Sequence, residues 1–311
     1  MKKKITFWIK LLAMSLLVGV FCFCFVMPQY TYNNQAAMVD KVNRLKSIDG
    51  AKITLVGNSN LAFGIQSQLL EEEMGMPVAN MGLHGGVGNV FNEQAAKINI
   101  HEGDLIILSP SSFHDNDRIK NPELAWITIE NHAEMWRFIR FKDIPDMAMA
   151  YPTYLKKCIG MWSNGTGNRD TEPIYSRSQY NEYGDNIYPR PESTEDLELE
   201  GYVAIPTISD AYVKRVNALN AYVRERGATL LVAAYPIAWH ENAPSKEEYA
   251  KFEKELRQRL DCPIISDYTQ YCLEPKYFFN TYLHLTDEGA NTRTKLLIQD
   301  LKKYLEESGK K

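Results

Sequence analysis

Three short apolar runs constrain the fold of this chain more than any other feature: residues 52–56, 77–81 and 104–108. Each is too short for a buried helix, is rich in residues that favour extended backbone, and gives way to polar loop residues. Between them lie segments of helical character, 66–73 and 89–98. Strands that alternate with helices pair in parallel, because each helix carries the chain back across the sheet before the next strand begins. The pattern blurs between about 114 and 205, where Tyr, Pro, Gly and Asn crowd residues 151–191, and this stretch reads as a helical and looped insertion forming one wall of a cleft. Periodicity returns with a helix over 208–226 that Gly227 closes, a strand over 229–235, a charged amphipathic helix over 246–260, a short strand over 263–266 and a last helix over 291–305. Residues 28–50 read as a connector with a short helix, 51–305 as one α/β domain, and 306–311 as a solvated tail.

Ahead of this body stands a segment of a different kind. Residues 11–27 carry no charge, and Lys2, Lys3 and Lys4 precede the apolar stretch, which only Lys10 interrupts. A spanning helix needs about 20 apolar residues, and a lysine near its end can reach the interface. The leading lysines place the amino terminus in the cytoplasm and the body outside, so the expectation is a single-pass membrane protein. A cleaved signal peptide is the rival reading; no small-x-small site follows the apolar run. Phe21 before Cys22 argues against lipoprotein processing. With 35 basic and 39 acidic residues the net charge is −4, which gives no basic face for nucleic acid. Five cysteines, two of them in the apolar segment, do not make a disulfide framework, although Cys262 and Cys272 could pair in an oxidising compartment. No Cys/His spacing suits zinc, and no cofactor is expected.

The loops that leave the strands hold the chemistry-bearing residues. Ligand sites in parallel sheets lie beyond the carboxyl ends of the strands. After the first run comes Gly57-Asn58-Ser59-Asn60, a turn that presents a hydroxyl beside helix-terminal N–H groups. After the second comes Asn80-Met81-Gly82-Leu83-His84-Gly85-Gly86, where glycine lets backbone N–H groups approach a ligand. Late in the chain, Asn280-Thr281-Tyr282-Leu283-His284-Leu285-Thr286-Asp287-Glu288-Gly289 offers an imidazole just before the final helix, for which Thr286 is a fair N-cap. A serine nucleophile needs such a base beside it. Turns and a surface histidine would explain each segment singly, but not their order. His240 ends another strand on the same rim, whereas His114, Asp115 and Asp117 read as a solvated polar loop.

Taken together, the three segments resemble the SGNH (GDSL-like) hydrolase family, and more closely its bacterial membrane-anchored members that work beside membrane-bound O-acyltransferases. Ser59 matches that family's nucleophile, Gly85 its oxyanion glycine, and His284-Leu285 with Gly289 its late histidine motif. The resemblance covers roughly residues 50–305 and implies a three-layer flavodoxin-like sandwich with a central parallel sheet, preceded here by one N-terminal transmembrane helix. It implies an esterase or acyltransferase acting on extracellular glycan or another acylated cell-envelope polymer, with a polytopic membrane O-acyltransferase as a partner. Two departures stand out. The family's acid three residues before the histidine is Thr281 here, with Asn280 one step further back; either could accept from the ring, and Asp287 is the nearest acid. The family's third oxyanion donor, an asparagine, is replaced near Ser111, whose hydroxyl rotates more freely. The candidate site is therefore Ser59 and His284, with Gly85 and Ser111 for the oxyanion and with Asn58, Asn60, His84, His240, Asn280 and Thr281 around them. These departures also keep open a non-catalytic accessory or binding protein on the same scaffold.

Overall fold

The computed structural model describes residues 2–114, 117–168, 172–197, 199 and 204–309. Four strands, β1 (Ile53–Gly57), β2 (Val78–Asn80), β3 (Leu105–Ser109) and β4 (Thr229–Val232), form one parallel sheet in the order β2-β1-β3-β4. Side chains alternate across it, as strand geometry requires. Val56, Ala79, Ile106, Leu108, Leu230 and Val232 enter a core shared with α2 (Ala37–Ser47), α8 (Asp210–Arg224) and α9 (Lys246–Arg259). Ile53, Leu55, Val78, Leu105, Ile107 and Leu231 pack on the other face, against Leu70 of α4 (Ser67–Met74) and Leu297, Ile298 and Leu301 of α10 (Asp287–Ser308). Residues on both faces are buried, which is why the strands read as continuous apolar runs. Two short strands, β5 (Ile237–Ala238) and β6 (Cys272–Leu273), pair in parallel as a separate ladder.

Several expectations are corrected. The strand expected over 263–266 is a single parallel bridge, Val232 to Ile264; Pro263 has no N–H to extend a ladder. The helix expected over 89–98 divides into α5 (Asn89–Asn92) and a 3-10 segment, Glu93–Lys97. The last helix starts four residues earlier than its apolar pattern, because the Thr286 hydroxyl caps it by accepting from the Gly289 N–H at 3.1 Å, and it runs on through half of the expected tail to Ser308. Cys262 and Cys272 are separate, buried free thiols. The short helix expected in 28–50 is α2, and the segment packs on the body: Tyr30, Met38, Val42 and Leu45 are core residues, the last three forming a helical stripe on α2.

The apolar segment is one helix, α1 (Lys2–Phe21), continued by a π-helical turn, Cys22–Val26; Lys3–Val26 is long and apolar enough to cross a membrane. Its end is built into the body. Val26 and Met27 are buried, and the Met27 carbonyl accepts from the Tyr154 hydroxyl at 3.4 Å. Directly after it, the N–H groups of Gln29 and Tyr30 both donate to Glu130 Oε1, at 2.6 and 2.7 Å. Glu130 closes α6 (Pro122–Ile129) with a positive φ of 36°, a conformation that costs energy for a residue with a Cβ. Burial raises its pKa to about 7, so its carboxyl is half neutral near physiological pH. Tyr154 belongs to α7 (Ile144–Asn164), the longest helix of the insertion.

Candidate active site

At the carboxyl end of β1 the chain turns directly into the short helix α3 (Ser59–Ala62). Asn58 caps it, its Oδ1 accepting from the Asn60 N–H at 3.0 Å and from Asn60 Nδ2 at 2.7 Å. Asn60 is fully buried beneath the turn rather than facing solvent. The Arg293 guanidinium, brought up by α10, grips it: Nη1 donates to the Asn60 carbonyl, and Nη2 to Asn60 Oδ1 at 2.7 Å and Ser109 Oγ at 2.9 Å. Neighbouring loops approach so closely that a Cβ on Gly57 would stand 2.7 Å from the Ser109 carbonyl oxygen, and one on Gly82 2.8 Å from that of Asn58. Glycine at these two positions is what lets the strand ends converge.

His284 arrives on a two-strand antiparallel hairpin, β7 (Phe278–Thr281) and β8 (His284–Leu285). Its ring stacks on Phe63 with centroids 4.1 Å apart and planes 18° from parallel. Phe63 stands four residues beyond Ser59, and its N–H donates to the Ser59 carbonyl at 2.9 Å, so Phe63 seats the imidazole one helical turn from the hydroxyl. Ser59 and His284 line one cavity; no direct hydrogen bond joins them.

The orientation of the ring comes from Asn280. Its Oδ1 lies 2.9 Å from His284 Nδ1, and its Nδ2 donates to the Tyr175 hydroxyl at 3.0 Å. Asn280 Oδ1 faces the histidine while Nδ2 faces Tyr175, and in this orientation Nδ1 carries the proton and Nε2 keeps a lone pair. Thr281 serves the backbone instead. Its hydroxyl accepts the N–H groups of Leu283 and His284, each at 3.2 Å, and so shapes the hairpin turn. Asp287 is committed elsewhere, its Oδ2 accepting the Arg190 N–H at 3.0 Å. Burial, then the charges of Arg190 and His84, push the His284 pKa down to about 3. The imidazole is neutral at every physiological pH.

The cavity has a volume of about 920 Å³. Asn58, Ser59, His84, Gly85, Ser111, Thr281 and His284 all lie on its wall. Among the described residues no partner engages the N–H of Ser59 or of Gly85. Asn58 Nδ2 donates to Ser111 Oγ, which leaves the Ser111 proton free to point into the cavity. The His84 ring accepts the Gly86 N–H through Nδ1 at 2.8 Å and is held below the usual imidazole pKa by desolvation and by Lys120. His240 is not on this wall; its Nδ1 accepts from the Asn242 N–H at 3.3 Å. His114, read as part of a solvated loop, does line the cavity. Asp117 is tied to Arg140 at 2.5 Å and to Lys142, and Asp115 lies outside the described residues. The insertion supplies the far wall through Arg118, Lys120, Tyr175 and Tyr180.

Sequence reasoning misses Phe63, Tyr175, Arg293 and Asp185. Asp185 is buried, and its carboxylate holds Ser67 Oγ at 2.6 Å and Asn80 Nδ2 at 2.8 Å, while Asn80 Oδ1 accepts the Gly82 N–H at 2.9 Å. Thus the insertion braces the loop that carries Gly85. Compared with family models, with curated proteins and with solved structures, the chain matches none.

Proposed function

We propose that this chain is a membrane-anchored serine hydrolase or O-acyltransferase of SGNH type, its body a three-layer flavodoxin-like sandwich lying outside the membrane. The observation that carries the reading is the meeting of Ser59, His284, Gly85 and Ser111 on one cavity wall. In the first step Ser59 Oγ bonds to the acyl carbon of an ester, and its proton passes to His284 Nε2. The N–H groups of Ser59 and Gly85 and the Ser111 hydroxyl hold the oxygen that becomes negative. His284 then gives its proton to the departing alcohol. Water or a sugar hydroxyl, deprotonated by His284 in turn, takes the acyl group from Ser59. The tyrosines and the cationic residues Arg118 and Lys120 on the wall suit a long polyhydroxylated polymer of the cell envelope, and a polytopic membrane acyltransferase is the partner proposed to supply or receive its acyl groups.

In serine proteases, an asparagine in place of the triad acid costs about 10⁴ in turnover, mainly by imposing the wrong tautomer. Here the Asn280 oxygen faces the ring, the orientation that favours the productive tautomer and avoids that penalty. What is missing is the negative charge that would stabilise the imidazolium. That lack supports a second reading, a non-catalytic accessory protein that binds the polymer. A serine-reactive fluorophosphonate separates the two: labelling that disappears in Ser59→Ala supports the enzyme. No labelling beside a positive control supports the binding protein, and full esterase or transferase activity in Ser59→Ala refutes the mechanism.

A further inference from the structure

We propose that the carboxyl-terminal half of α7 is a second membrane contact, an aromatic foot seated in the headgroup layer beside the point where the apolar helix emerges. The inference rests on the membrane-anchor reading and is independent of the chemistry at Ser59.

Tyr154, Cys158 and Trp162 recur every four residues along α7 and form one stripe. The first two lie against the Met27 carbonyl, at 3.4 and 3.9 Å, whereas Trp162 meets Phe21 edge to face with ring centroids 5.7 Å apart. Helix α7 therefore runs alongside the end of the apolar segment in the opposite sense, and its carboxyl end points back toward the bilayer. Val26, the end of the span, stands five positions beyond Phe21, which is roughly 7 Å along a helix axis. That is about the thickness of the interfacial layer on one side of a bilayer. Trp162 thus stands at the height where tryptophan is favoured in membrane proteins.

The outward surface fits the same place. Trp162 and Ile159 are each 46% exposed and Phe25 is 59% exposed, side chains that water would not favour at a free surface. Residues 147–168 include no Asp or Glu, and Lys156 is exposed among them, so this stretch brings no negative charge of its own to anionic headgroups. The foot is also fixed. Gly165 ends α7 in the left-handed conformation, the Thr166 N–H returns to the Met161 carbonyl at 3.1 Å, and the Asn168 N–H donates to the Gln29 carbonyl at 2.6 Å. A lipid surface is the occupant, because the span that delivers it adjoins the patch.

The test uses the full chain in vesicles of phosphatidylethanolamine and phosphatidylglycerol whose acyl chains are brominated near the headgroup. Tryptophan quenching is compared among wild type, Trp8→Phe and Trp162→Phe. Trp8, in the apolar helix, reports the anchor; Trp162 reports the foot. The expected result is a loss of quenchable fluorescence in each variant, and a smaller Trp162 contribution in Ile159→Asp, an exposed change that leaves the core intact. Quenching lost in Trp8→Phe but unchanged in Trp162→Phe overturns the foot and keeps the anchor. Equal quenching in all three overturns both. A Trp162 shielded from aqueous iodide yet untouched by bromine places a protein partner there, and also overturns the proposal.

Discussion

The cleft and the neck, where the apolar helix ends against Glu130, are built around the same device with opposite polarity. In the cleft, His284 is buried and its pKa pushed down to about 3; in the neck, Glu130 is buried and its pKa raised to about 7. Burial favours the neutral form of each. For the histidine, stability present above its unfolded pKa of about 6.5 is lost as pH falls toward the folded value. For the glutamate, stability present below its unfolded pKa of about 4.3 is lost as pH rises through 7. Acid therefore strains the cleft and base strains the neck. The difference lies in what each neutral group must do. In the proposed chemistry His284 has to be neutral to accept a proton, whereas Glu130 has only to accept two backbone hydrogen bonds.

Four substitutions test this contrast. Arg293→Met should have the largest effect, a loss of roughly 3 kcal/mol or more, because it strands the buried acceptors that the guanidinium now serves. Denaturant unfolding in detergent measures it, and an unchanged midpoint would remove the Arg293 clamp from the account. Asn280→Asp supplies the missing charge. It should raise kcat/KM by about 10² and bring the acid limb of the pH profile up to the ordinary histidine range. The wild type should stay level from pH 7 down to about 4. If both profiles fall at the same pH, His284 is not the base. Glu130→Gln keeps one oxygen for both N–H donors and removes the titration, so stability at pH 8 should rise by about 2 kcal/mol with little change at pH 4. A parallel shift at both pH values would show that Glu130 does not titrate in the neck. Tyr175→Phe removes a partner of the Asn280 amide and should cost about tenfold in kcat. Nitrogen chemical shifts of His284 would reveal the change of tautomer directly.

The parallel sheet and the apolar helix were legible because each rests on a local pattern: short strand-like runs between helices, and an uncharged stretch of spanning length. The loops at the strand ends were legible for the same reason. What escaped depends on distant partners. Arg293 reads as an ordinary cation on an amphipathic helix, yet it is buried against the turn at Ser59. Asn280 and Thr281 are equivalent on paper; the hairpin turn takes the Thr281 hydroxyl and leaves Asn280 for the ring. The short helix in 28–50 was legible, but only the surface that Met38, Val42 and Leu45 meet makes them core.

Helix α10 begins three residues beyond His284, and within its first two turns Arg293 holds the strand-end turn bearing Ser59. Asn291 and Thr294 add ties to Gln66, just past α3. His284 and the turn bearing Ser59 thus hang from one rigid body. When that rod rocks on its bed, both ride with it, and the gap between hydroxyl and imidazole changes less than either position does.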